Sequence, residues 1–92
     1  MGDRAGEGVT LWNIGATYTK QELYDQALPN LQQAFVIFRS IGNPPNQQGA
    51  ANWIRNVLNA INQQGNPAEY RRQCQATAEA TGVAIREWCG GL

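Results

Sequence analysis

The sequence predicts an all-α chain built of antiparallel helical hairpins, and three observations carry that prediction. Apolar residues return at spacings of three and four along most of the chain. Clusters of Gly, Asn and Pro cut that pattern into segments of helical length. The links between segments are short, and short links make amphipathic helices that follow one another in sequence antiparallel in space.

The first helix is expected from about Arg4 to Thr19, with Asp3 as its N-cap. Its apolar stripe is Leu11, Ile14 and Tyr18, with Gly15 beside it. Gly6, Gly8 and Gly15 each weaken a helix by up to about 1 kcal/mol relative to Ala. A glycine inside a stripe therefore points to close helix packing rather than a break. The second helix runs from about Tyr24 to Ile41 on the stripe Tyr24, Ala27, Leu28, Leu31, Ala34, Phe35, Phe38 and Ile41. Pro29 falls in its early turns and removes one backbone donor. Gly42 caps its end, and Asn43-Pro44-Pro45 forbids continuation.

The third helix is expected from about Gln47 to Gln64 on Ala50, Trp53, Ile54, Val57, Leu58 and Ile61, ended by Gly65. Asn66-Pro67-Ala68-Glu69 then announces a new start. Asn66 can cap, Pro67 suits the first helical position, and Glu69 can close a capping box. The fourth helix carries the weaker stripe Tyr70, Cys74, Ala78 and Thr81 before Gly82 stops it. A short helical turn from Val83 to about Trp88 precedes the tail Cys89-Gly90-Gly91-Leu92.

Ninety-two residues allow a single domain at the small end of what buries a useful core. Seven basic and seven acidic side chains cancel, so no field is set up for nucleic acid or an anionic membrane, and near-zero charge favours self-association. Polarity comes from amides instead, including the pairs Gln32-Gln33, Gln47-Gln48 and Gln63-Gln64. No apolar run reaches the ~18 residues of a membrane span. The opening Met1-Gly2-Asp3-Arg4 lacks the apolar core of a signal peptide, so a cytoplasmic setting is expected. Gly2 invites a myristoylation reading, but Gly6 stands where Ser or Thr is wanted.

An internal period is visible. Met1-Gly2-Asp3 returns forty residues later as Ile41-Gly42-Asn43. The same offset pairs Leu11 with Ala51, Ile14 with Ile54, Tyr18 with Leu58 and Ala34 with Cys74, and Trp12-Asn13 becomes Asn52-Trp53. A period of this size predicts a helical-hairpin solenoid.

Residues Leu11 to Ala34 resemble a tetratricopeptide repeat. Leu11 stands in the place of the family's Trp, followed by Ile14, Gly15, Tyr18, Ala27, Leu31 and Ala34 at the family's spacing, with Gln21-Glu22-Leu23-Tyr24 at its turn. The longer period is similar to that of kinesin light chains and many bacterial scaffolds. The second unit departs from the pattern: Arg55 replaces a small Gly, and Pro67-Ala68 falls where a small Ala is expected. The resemblance implies a right-handed solenoid of two antiparallel hairpins, residues 1–42 and 43–82, with residues 83–92 as a capping helix and tail. It also implies a protein-interaction scaffold, with a partner peptide or protein in a groove lined by the first and third helices. On that groove it places Val9, Trp12, Asn13, Ala16 and Lys20 from the first helix, and Gly49, Asn52, Trp53 and Asn56 from the third.

Trp12 and Asn13 lie off the Leu11-Ile14-Tyr18 stripe, so helical geometry alone also turns them from the first hairpin's core. A Trp beside an amide suits a binding hot spot, although Trp12 or Trp53 packed under a neighbouring helix remains the competing expectation. A carboxylate clamp of the kind some family members use is disfavoured, because Trp12 and Ala16 occupy its places. Lys20 and Arg55 are expected as solvated charges.

Cys74 and Cys89 lie seven residues either side of the Thr81-Gly82 junction. A tight turn there would bring them face to face, leaving a disulfide and two buried free thiols both open. With no histidine, zinc and nucleophilic triads are not expected, and the scattered carboxylates form no catalytic pair. No cofactor and no enzymatic activity are expected. The alternative function is a homo-oligomerisation module, or a C-terminal piece of a longer array, pairing through an uncovered edge of the first hairpin.

Overall fold

Three helices begin on side-chain caps, two of them (Asp3 and Asn66) expected from the sequence and one (Asn43) expected only to end the preceding helix. Asp3 accepts a hydrogen bond from the Gly6 N–H at 2.8 Å, Asn43 from Asn46 at 3.2 Å and Asn66 from Glu69 at 3.1 Å. Each satisfies one of the backbone donors that a helix start leaves unpaired. The computed structural model describes residues 3–90. Its elements are α1 (Arg4–Lys20), α2 (Tyr24–Ser40), α3 (Pro44–Gln63), α4 (Pro67–Thr81) and α5 (Ile85–Cys89). Among the described residues there is no strand. The correspondence of Met1-Gly2 with Ile41-Gly42, the Gly2 reading and the Gly91-Leu92 tail fall outside them.

Two boundaries differ from expectation. α3 starts at Pro44 rather than near Gln47. Pro44 and Pro45 end α2, yet in the first turn of α3 their missing N–H groups had no intrahelical partner to lose, so the same two residues also open the next helix. α5 starts at Ile85, two residues late, because Val83 and Ala84 are spent leaving the Gly82 turn. Gly42 (φ 68°) and Gly82 (φ 74°) hold the same left-handed turn forty residues apart. The α1–α2 turn instead puts Glu22 at φ 60°, where a non-glycine residue is strained.

α2 is the centre of the molecule, touching α1, α3 and α4. On α1 two glycines set the contact. A Cβ built on Gly8 would lie 2.8 Å from Phe38, and one on Gly15 would lie 2.6 Å from Leu31. The rising number on one helix against the falling number on the other makes the pair antiparallel. Asp25, Gln32 and Arg39 of α2 bond in that order to Gln73, Thr77 and Thr81, so α2 and α4 run parallel. The core is drawn from Ala27, Leu28, Leu31, Ala34, Phe35, Phe38, Ala50, Ala51, Ile54, Val57, Leu58 and Ile61, closed by Cys74, Trp88 and Cys89.

The expected α1 stripe needs correcting. Ile14 is 39 % exposed, while Leu11 and Tyr18 are half-buried. The buried line of α1 is Gly8 and Gly15, flanked by Leu11, Trp12 and Tyr18. Backbone approach at the glycines fixes how α1 is turned, and that rotation carries Ile14 off the contact. Ile41, placed at the end of the α2 stripe, is exposed because it stands after the last helical residue.

Candidate functional site

Trp12 is half-buried. Its ring meets Phe38 edge-on at 5.9 Å, and its outer rim lies against Gly49 of α3, where no Cβ keeps it away. Trp12 is thus the bridge between α1, α2 and α3, and its face is committed to packing. Trp53 follows Gly49 by one turn on the same line of α3 and is also half-buried against the core.

The remaining residues expected on this face are placed as follows. Val9, Asn13, Lys20, Asn52 and Asn56 are exposed, and Ala16 is half-buried. Val9 is among the most exposed large apolar side chains, at 41 %. The Asn52 side-chain oxygen accepts from Gln48 Nε2 at 3.1 Å. Among these eight residues Lys20 carries the one charge. Apolar side chains (Val9, Trp12, Ala16, Trp53) and amides (Asn13, Asn52, Asn56) make up the rest of the expected set, and amides suit hydrogen bonding to an uncharged backbone. Among the described residues no group of three or more His, Cys, Asp or Glu is placed to hold a metal ion.

Arg55 is not a free surface charge. Its guanidinium stacks 5.0 Å from the Trp88 ring centroid, and its Nε donates to the Glu87 carbonyl at 3.3 Å. Cys74 and Cys89 are joined in a disulfide that ties α5 to α4. Both half-cystines are buried.

Sequence reasoning missed a buried polar seam between α2 and α4. Gln32 donates to Thr77 at 2.8 Å, and the Thr77 and Thr81 hydroxyls donate back to the carbonyls of Gln73 and Thr77. The Gln73 amide is shared between Asp25 at 2.8 Å and Glu69 at 2.9 Å. Hydrogen bonds from Arg72 and then Gln73 hold the Glu69 carboxyl below its usual range, and Glu69 in turn raises the Arg72 pKa. The spacing Gln73, Thr77, Thr81 was the available signal: polar residues every fourth place down the inner side of a helix.

Along α1 a shallow cleft of about 410 Å³ is lined by Thr10, Asn13, Ile14, Thr17, Tyr18 and Gln21, so Asn13, one of the residues expected on the partner face, opens onto this cleft. At the forty-residue offset these six positions correspond to Ala50, Trp53, Ile54, Val57, Leu58 and Ile61, the buried side of α3. Four of the six have become Thr, Asn, Thr and Gln on α1. Compared with known proteins, the chain matches no family model, no curated protein and no solved structure.

Proposed function

We propose that the chain is a tetratricopeptide-like interaction module, a right-handed solenoid of two hairpins that receives an extended partner peptide on the face shared by α1 and α3. The reading is carried by one observation. α1 meets α3 through Trp12 on Gly49, and on α3 the exposed Asn52 and Asn56 accompany a partly open Trp53. Such a set of side chains is nearly uncharged and able to bond a peptide main chain. No catalytic role is assigned.

The α1 outer face argues against self-pairing as the main role. Where α3 presents apolar side chains to α2, the corresponding side of α1 presents Thr10, Thr17 and, at its C-cap, Gln21, polar groups that a second copy would have to desolvate. The disulfide favours work in an oxidising compartment over the cytoplasmic setting expected from the opening residues.

The test is selection of a random peptide library on the whole oxidised chain, followed by titration against a variant carrying Asn13→Ala, Asn52→Ala and Asn56→Ala. Selected peptides should bind the parent with a Kd in the micromolar range and the triple variant at least tenfold more weakly, with unchanged far-UV dichroism. Peptides that bind both proteins equally would place recognition elsewhere. Light scattering should report a monomer of 10.1 kDa. A stable dimer would move self-assembly ahead of peptide binding.

A further inference from the structure

α5 is a helix that cannot hold itself. It has five residues, and its N-cap position, Ala84, offers no side-chain bond. Helices this short do not persist in water without tertiary support. Arg86 and Glu87 point to solvent, Ile85 is half-buried, and three side-chain contacts to the body pass through Trp88. The Phe35 ring meets the indole edge-on at 5.4 Å, the Arg55 guanidinium lies over it at 5.0 Å, and the indole Nε1–H donates to the Thr81 hydroxyl at 3.1 Å. Phe35, Arg55 and Thr81 come from α2, α3 and α4, so the receptor for this indole is built by the body and not by α5. α5 is also held by its Glu87 carbonyl, which accepts from Arg55 Nε at 3.3 Å, and covalently by Cys89 to Cys74.

We propose that Phe35, Arg55 and Thr81 form an indole-binding site that the chain's own Trp88 fills while the disulfide is intact and vacates when a dithiol reduces it. The ligand class is a tryptophan side chain presented by a partner segment, and α5 is its intramolecular stand-in. The chemistry is thiol–disulfide exchange. A thiolate of the dithiol attacks the Cys89 sulfur, and the Cys74 sulfur leaves with the bonding pair and takes up a proton. The reductant's second thiolate then attacks the mixed disulfide and releases Cys89, which is protonated in turn. The cysteines gain two electrons and two protons, and the dithiol becomes a cyclic disulfide. Both sulfurs are buried, so attack requires α5 to lift, and that movement uncovers Cys89 while Cys74 stays on α4. The site stands on a different side of α3 from Gly49 and Trp53, and it does not depend on the peptide-binding reading.

Two measurements test this. Hydrogen–deuterium exchange of the whole chain with and without dithiothreitol should show residues 83–90 exchanging at least tenfold faster after reduction, while α1 to α4 keep their protection. A Cys74→Ser, Cys89→Ser variant should match the reduced chain without any reductant. Unchanged protection of 83–90 would overturn the latch, and simultaneous loss across all helices would show that the disulfide holds the whole fold. Second, N-acetyl-tryptophanamide should bind saturably to a reduced Trp88→Ala chain, read by saturation-transfer NMR, and at least fivefold more weakly when Arg55→Ala is added. Absence of binding to folded Trp88→Ala would overturn the indole site.

Discussion

Substituting alanine at two glycines separates a helix contact made by backbone from one made by a movable side chain. A Cβ on Gly15 would stand 2.6 Å and 2.7 Å from Cγ and Cδ2 of Leu31, and 3.2 Å from the Ala27 carbonyl oxygen. Leu31 is fully enclosed, and the carbonyl belongs to the α2 backbone. Restoring ordinary contact, at 3.4 Å or more, requires α1 and α2 to part by several tenths of an ångström. Overpacking of this kind costs about 1–3 kcal/mol. Alanine returns up to about 1 kcal/mol through helix propensity. The expected net effect of Gly15→Ala is a loss of roughly 1–2 kcal/mol, with Tm lower by about 5–15 °C for a domain of this size. Gly49→Ala meets a different neighbour. Its nearest atoms are the outer rim of the Trp12 ring, which is only half-buried and can swing aside. Clash and propensity should there cancel to within about 0.5 kcal/mol. Urea and thermal unfolding followed by far-UV dichroism measure both. A neutral or stabilising Gly15→Ala, or a Gly49→Ala as costly as Gly15→Ala, would refute the idea that backbone approach at Gly15 sets how α1 docks.

Two other outcomes follow from strain and charge. Glu22→Gly relieves the positive φ of the α1–α2 turn and should stabilise by about 0.5–1 kcal/mol, read as a higher urea midpoint with an unchanged slope. Glu69 titrates below its ordinary value of 4.5, so its contribution is present above that pH and is lost as pH falls through the depressed folded value. Glu69→Gln should therefore flatten the fall in Tm below pH 4.5, and equal acid limbs for both proteins would remove Glu69 from the account.

Helix number, order and most ends were legible because they rest on local chemistry. Asp3 and Asn66 cap as expected, and Gly42 and Gly82 turn the chain because they tolerate φ values that other residues resist, whereas Asn43, expected only to end α2 with Pro44-Pro45, also caps α3. What was not legible depends on how helices are rotated against one another. The stripe Leu11-Ile14-Tyr18 outweighs Gly8 and Gly15 in a hydrophobicity count, since glycine contributes nothing to it. The close contact nonetheless forms at the glycines, and Ile14 is left outside. Arg55 is exposed, as its charge leads one to expect, yet its guanidinium also lies over an indole that only the tertiary fold brings to it.

The period itself carries the last step. A repeat that fixes spacing without fixing composition lets the same helical position be inside in one hairpin and outside in the next. Ile54, Val57 and Ile61 are enclosed beside α2, while Ile14, Thr17 and Gln21, forty residues earlier, line an open cleft. Gly8 and Gly15, enclosed against α2, correspond to exposed Gln48 and to Arg55, which instead supports α5. α1 is thus polar where α3 is apolar, and α3 carries a charge where α1 carries a glycine, so one helical spacing serves two different sets of neighbours.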